Sequence, residues 1–109
     1  MWPVYDVVAV NYSDLTINDS KIGSVNMWNQ AKVTIANGTE VDTVVVRGNM
    51  NTKKYGLTVK AGAIVGDIDL SALTDKTRVN ITIEDGATFG RIIANGVEYA
   101  TIADWQAAI

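Results

Sequence analysis

The chain has 109 residues, of which 48% are hydrophobic and 19% charged, a composition typical of one small globular domain. It contains no cysteine and no histidine, which excludes disulfides, zinc sites built on those residues and a Ser-His-Asp triad. The net charge of −3 is unlike that of a general nucleic-acid-binding protein, so nucleic acid is not an expected partner.

Residues 1–14 are rich in β-branched side chains, with Val7, Val8 and Val10 close together, and predict a strand that covers the first repeat. They lack a basic segment and a small-residue cleavage site, so we do not expect a signal peptide. No apolar run approaches the roughly 20 residues that cross a bilayer, so no membrane partner is expected either.

A pattern then recurs every 24 residues: LTVKAGAIVGDIDL at 57–70 returns as ITIEDGATFGRIIA at 81–94, and an earlier copy begins at Val33. A fixed period predicts a stack of like units. Each unit opens with an apolar-Thr-apolar triplet, the alternation of a strand with one buried face. The four triplets are Leu15-Thr16-Ile17, Val33-Thr34-Ile35, Leu57-Thr58-Val59 and Ile81-Thr82-Ile83. We expect the four threonines to stack in one outward column.

A turn and a second strand follow each triplet. The turns are expected at Ser20, Gly38, Gly62 and Gly86, three residues past the triplets. The second strands begin at Ile22, Val41, Val65 and Phe89, and their alternation breaks at one repeated place, Gly66-Asp67 in the third unit. This break predicts a corner between two sheet faces. A less regular third side, at 47–56 and 71–80, would place Tyr55 over Val79.

The last part of the chain has different signals. Asn95-Gly96 between two apolar runs predicts a hairpin. Thr101 predicts an N-cap that opens a helix over 103–109, which would cover the open end of the stack with Ile102, Trp105 and Ile109.

The predicted fold is therefore all-β: a right-handed parallel β-solenoid of about four coils, forming a single domain over residues 1–109. Residues 1–14 form its N-terminal cap strand, 15–94 its coils, and 95–109 its hairpin and capping helix. The rival arrangement makes each repeat a β-hairpin in an antiparallel roll, but the triplets are short for hairpin arms.

VKAGAIVGDIDL and IEDGATFGRIIANG resemble the coils of right-handed parallel β-helices such as the bactofilins. The closing stretch, GATFGRIIANGVEYATIADWQAAI, resembles the C-terminal ends of small proteins of tailed bacteriophages. The resemblance covers the repeats and the cap, and it implies a part of the virion or a small accessory protein that acts on host machinery, in the virion or the bacterial cytoplasm.

The candidate partner surface combines a basic ridge on the third side with apolar residues that the repeat leaves facing outward. Its members are Trp28, Val45, Ile93, Arg47, Lys53, Lys54, Lys76 and Arg78. These residues can equally be solubilising loop charges and residues covered by the two caps. No phosphate-cradling motif is present, and we expect no cofactor.

Acidic residues are the other candidates for chemistry. Asp67 and Asp69 can share an outward face, near Asp42 and Asp85, and carboxylates so placed can bind Ca²⁺ or act as acid and base. The plainer interpretation is a solvated, turn-forming face. We expect a non-catalytic protein that binds other proteins: a phage structural or attachment module that forms homo-oligomers such as trimers, or a phage inhibitor of a host defence protein. A carbohydrate-active enzyme that uses Asp67 and Asp69 is the remote alternative.

Overall fold

A computed structural model describes residues 6–9, 14–28, 31–46, 55–71 and 79–108 of the chain. They form ten strands and one short helix. The elements are β1 (Asp6–Ala9), β2 (Asp14–Ile17), β3 (Lys21–Met27), β4 (Lys32–Ile35), β5 (Glu40–Val46), β6 (Tyr55–Val59), β7 (Ile64–Asp69), β8 (Val79–Ile83), β9 (Thr88–Ala94), β10 (Val97–Tyr99) and α1 (Ile102–Ala107).

The chain crosses between two sheets in each repeat. The triplets form a four-stranded sheet in the order β2-β4-β6-β8, and the second strands form the centre of a six-stranded sheet in the order β1-β3-β5-β7-β9-β10. Successive repeats pair in parallel, which rejects the antiparallel roll. The register aligns Thr16, Thr34, Thr58 and Thr82 in one column, which confirms the predicted threonine stack.

The predicted parallel β-solenoid is nevertheless wrong as a fold class. The chain forms a β-rich fold of two sheets, one parallel and one mixed, with a single short helix in the described part. The second sheet is mixed because Asn95 and Gly96, with φ of 52° and 79°, reverse the chain and pair β10 antiparallel with β9. At the other end β1 joins the same sheet as a parallel strand beside β3 of the first repeat.

The predicted corner is also wrong. Each second strand continues through the break as one element, and β7 runs without interruption from Ile64 to Asp69. The register passes from Val41↔Val65 to Thr43↔Asp67 and leaves out Gly66. The break is thus an irregularity within one sheet. Of the predicted third side, Tyr55 and Val79 are aligned as expected, but they lie in strands β6 and β8 of the four-stranded sheet; residues 47–54 and 72–78 lie outside the described residues.

The turns that join the two sheets follow the glycines. Gly38, Gly62 and Gly86 have φ of 84°, 84° and 91°. In the first of these turns the Thr39 N–H donates to the Ala36 carbonyl oxygen at 3.2 Å. A positive φ at the third position of such a turn is the mark of type II, which favours glycine. In the first repeat the residue with positive φ is Asp19 rather than the predicted Ser20.

The core lies between the two sheets. Its inward columns are fully or nearly buried in the middle repeats, and in the last repeat Ile81, Ile83 and Phe89 are only partly buried. Val25, Val44, Ile68 and Ile92 form one such column, and Val33 and Leu57 lie opposite in the other sheet. Because each apolar strand face meets the same face of its neighbour, every interior interface is built alike.

The C-terminal helix follows the predicted N-cap and begins at Ile102, one residue earlier than expected. The Oγ1 atom of Thr101 accepts the N–H of Asp104 at 3.0 Å, which confirms the N-cap. The helix ends at Ala107, two residues earlier than expected. Trp105 is only 3% exposed and joins the core, and Ile102 packs against the core while partly buried.

Candidate functional site

Only part of the predicted partner surface can be located. Trp28, Val45 and Ile93 are described. The five basic members lie outside the described residues: Arg47, Lys53, Lys54, Lys76 and Arg78. The basic ridge therefore stays a prediction. Trp28 comes directly after β3 and is 40% exposed, and its carbonyl oxygen accepts the Ala31 N–H at 3.2 Å.

The outward apolar column is formed as predicted. The strand register aligns Asn26, Val45, Asp69 and Ile93 across four neighbouring strands of the six-stranded sheet. We call these four residues the mixed column. Val45 and Ile93 are half-buried, whereas Asn26 is 8% exposed.

The polar members of the mixed column have local partners. The Asn26 Nδ2 group donates to Oγ of Ser24 at 3.2 Å. An Asp69 carboxylate oxygen accepts the backbone N–H of Ser71 at 2.9 Å. The polar groups are thus engaged within the chain, and the half-exposed methyl groups of Val45 and Ile93 remain as the apolar part of this surface.

A second outward column contains a charge cluster. Arg91 Nε donates to an Asp67 carboxylate oxygen at 3.1 Å, and its Nη1 donates to the carboxylate of Glu98 on β10. The hydrogen bond with Asp67, and next that with Glu98, raises the pKa of Arg91 above its ordinary value. The guanidinium thus joins β7, β9 and β10 by fixed charge, although all three side chains are exposed enough to be screened by salt.

This cluster bears on the predicted acidic site. Asp67 is bound to Arg91, and Asp69 accepts from Ser71, so the two carboxylates have different partners. Among the described residues, no group of three or more acidic side chains is placed to hold a metal ion.

The C-terminal end of the sheets has a feature that the sequence did not predict. An open groove of about 420 Å³ lies between the last repeat and α1, lined by Ile81, Ile83, Phe89, Ile102 and Gln106 among others. We call it the terminal groove. A signal for it is present in the sequence, because a further repeat would place an apolar-Thr-apolar triplet where the chain has Trp105-Gln106-Ala107. The helix places Trp105 against the core at this position, but it covers the end of the stack less completely than a further strand would.

In the part of the chain that the structure describes, no helix is both long and apolar enough to cross a membrane.

Neither a protein-family model, a curated protein nor a solved structure matches the chain significantly. The resemblance to bactofilins and to small phage proteins therefore stays a prediction, and the functional argument depends on the geometry of the surfaces.

Proposed function

We propose that the protein is a non-catalytic binding module that associates with copies of itself through the outer face of its six-stranded sheet, as a structural or attachment part of a phage particle. The observation behind the proposal is the mixed column, with half-exposed Val45 and Ile93 on neighbouring sides of Asp69.

The physical reason is the parallel pairing of β1, β3, β5, β7 and β9. Parallel sheets occur almost only where both faces are covered, because each face is usually packed against another layer. Here the inner face is covered by the four-stranded sheet, and no described element covers the outer one. Val45 and Ile93 are the apolar side chains that a covering partner would bury.

The molecular mass in solution tests the proposal. Light scattering after size exclusion should give a multiple of the 11.7 kDa chain mass. Val45→Lys and Ile93→Lys should each shift the mass toward that of one chain, because a charge would be buried at the interface. Thr16→Lys is a control, since Thr16 is exposed on the outer face of the other, four-stranded sheet. A wild-type protein of one chain mass at every concentration would contradict self-association.

A second candidate is an inhibitor that binds a host defence protein. It is favoured by the charge cluster of Asp67, Arg91 and Glu98 close to the mixed column. Interfaces between partners that also exist apart are about as polar as ordinary surface, whereas permanent oligomer interfaces are more apolar. This candidate predicts a monomer that retrieves a nuclease or nucleic-acid complex from bacterial lysate, identified by mass spectrometry, and that Ile93→Lys does not.

A further inference from the structure

The two sheets end at different levels. β10 extends the six-stranded sheet beyond β9, whereas β8 pairs only with β6 in the described part of the chain. One edge of β8 is therefore without a neighbouring strand there. Unpaired strand edges are sites at which another extended chain can bind.

The hydrogen bonds on the other side of β8 identify the groups on this edge. The Glu84 N–H, directly after β8, donates to the Val59 carbonyl oxygen at 2.9 Å. Backbone groups of successive strand residues alternate between the two edges, so those of Thr82 also point toward β6. The N–H and C=O groups of Ile81 and Ile83 consequently point toward the free edge.

The same two residues also line the terminal groove. The side chains of Ile81 and Ile83 are partly buried, pack against the core and face the groove together with Phe89 and Ile102. An extended chain bonded to this edge would place alternate side chains beside these apolar groups. Backbone hydrogen bonding and apolar contact thus select the same occupant, which is a strand with apolar residues at every second position.

Charge defines the occupant further. Glu84 and Asp85 follow β8 directly, and Asp104 follows the groove-lining Ala103, whereas none of the residues that line the groove is basic. The Glu84 carboxylate pairs with Lys60 at 3.6 Å and accepts the Ala61 N–H at 3.2 Å, both on the β6 side, so Asp85 and Asp104 supply the remaining negative charge at this end. The edge therefore favours a strand that has lysine or arginine beside its apolar residues.

A second copy of the chain does not fit this edge by simple stacking. The six-stranded sheet exceeds the four-stranded one by two strands, so copies placed end to end on the larger sheet would leave β8 and β2 of the next copy about 14 Å apart, three strand spacings. We propose that the free edge of β8 binds one extended segment of a separate protein by strand addition, with alternating apolar side chains in the terminal groove and a basic residue near Asp85.

The chain itself offers a defined probe. The heptapeptide KYGLTVK, residues 54–60, has the required alternation between two lysines. Residues 55–59 form β6, and the Lys60 N–H donates to the Ile35 carbonyl oxygen of the preceding repeat. In the same register on β8, the N–H groups of Thr58 and Lys60 would donate to Ile81 and Ile83. Fluorescence anisotropy of the labelled peptide should therefore show saturable binding to the wild-type protein.

Backbone methylation provides the decisive control. A peptide N-methylated at Thr58 and Lys60 should bind at least about tenfold more weakly, because both donors to β8 are removed. The same peptide methylated at Leu57 and Val59 should bind nearly as well as the parent, because those N–H groups point away. Equal affinity of the two methylated peptides, or no saturable binding of the parent peptide, would overturn the proposal.

Variants of the protein give an independent measurement. Ile83→Pro removes an edge-facing N–H that has no partner in the native ladder, and should abolish peptide binding, whereas Ile83→Ala keeps the N–H and should weaken it only in part. Circular dichroism establishes that both variants are folded. Ile93→Lys should leave peptide binding unchanged, so that failure of this proposal is distinguished from failure of self-association. Equal binding by Ile83→Pro and Ile83→Ala would contradict strand addition.

Discussion

The close approach of two glycines at the strand irregularity makes Gly90→Ala a sharp test of the fold. A Cβ atom built on Gly90 would lie 2.3 Å from the carbonyl oxygen of Gly66 and 3.0 Å from its carbonyl carbon. Both contacts are to backbone, so no side-chain rotation can relieve them. The alanine can be accommodated only if β9 moves relative to β7 between the pairs Val65↔Phe89 and Asp67↔Arg91.

The size of the effect follows from the distance. Ordinary carbon–oxygen contacts are about 3.3 Å or longer, so the strands would have to separate locally by about 1 Å. Overpacking of this kind costs about 1–3 kcal/mol. For a domain near 100 residues, each kcal/mol lowers Tm by about 4–8 °C, which gives an expected decrease of roughly 4–24 °C.

Gly56→Ala is the matched control, because its added methyl group would meet only the flexible Lys32 side chain, at 3.4 Å. Both variants should be compared with wild type by thermal and guanidinium unfolding followed by circular dichroism. We expect Gly90→Ala to be clearly the less stable and Gly56→Ala to lie close to wild type. If the two variants unfold together, the strands are not held at the distance on which this reasoning depends.

Three further substitutions test the core, a turn and the helix cap, each by chemical unfolding. Ile68 is fully buried, so Ile68→Ala should lower the free energy of unfolding by about 2–5 kcal/mol. Ile64→Ala, at an exposed position of the same strand, should stay within about 0.5 kcal/mol of wild type. Similar losses of stability in the two variants would show that Ile68 is not in the core. Gly62 has a φ of 84°, so Gly62→Ala should cost about 1–2 kcal/mol, and Gly62→Asn should cost less, since asparagine tolerates this region; the reverse order would reject the left-handed turn. Thr101→Ala should cost about 0.5–2 kcal/mol through loss of the N-cap, and Thr101→Ser should restore most of it; an unchanged midpoint for the alanine variant would show that the cap is not formed.

Much of the register could be predicted from the sequence, because equal spacing leaves little choice. A strand that shifts by one residue turns its whole apolar face to solvent, so like residues align with like. The sequence therefore predicts the column of Thr34, Thr58 and Thr82 and the column of Val44 and Ile68, and the strand register confirms both. The turn residues were found for the same local reason, since Gly62 and Gly86 have the positive φ that glycine favours.

The division into sheets could not be predicted in this way. A period states which residues align but not whether the chain bends between them, so the prediction of a corner at Gly66-Asp67 is wrong. In the structure the missing side chains at Gly66 and Gly90 allow two backbones to approach closely within one sheet. The ends lie outside the period, because β1 and β10 belong to no repeat; the N-terminal strand and the Asn95-Gly96 hairpin were predicted from local signals, and both are formed.

Of the two candidate sites, one follows from the period and the other does not. The mixed column of Val45, Asp69 and Ile93 follows directly from the period and was predicted. The terminal groove was not, because it depends on how incompletely α1 occupies the position of a further strand. Ile81 and Ile83 are ordinary core residues by pattern, and only their position in the last repeat makes them accessible.

The uniform interior has a consequence for how such a chain can change its length. Strand β6 meets β4 in the same register in which β8 meets β6. An extra 24-residue segment duplicated in tandem between them would therefore find neighbours of its own kind on both sides, and β1 and α1 would keep their existing contacts. The fold can therefore accommodate duplication of a whole 24-residue segment, whereas insertion of a single residue in a strand would turn an apolar face outward.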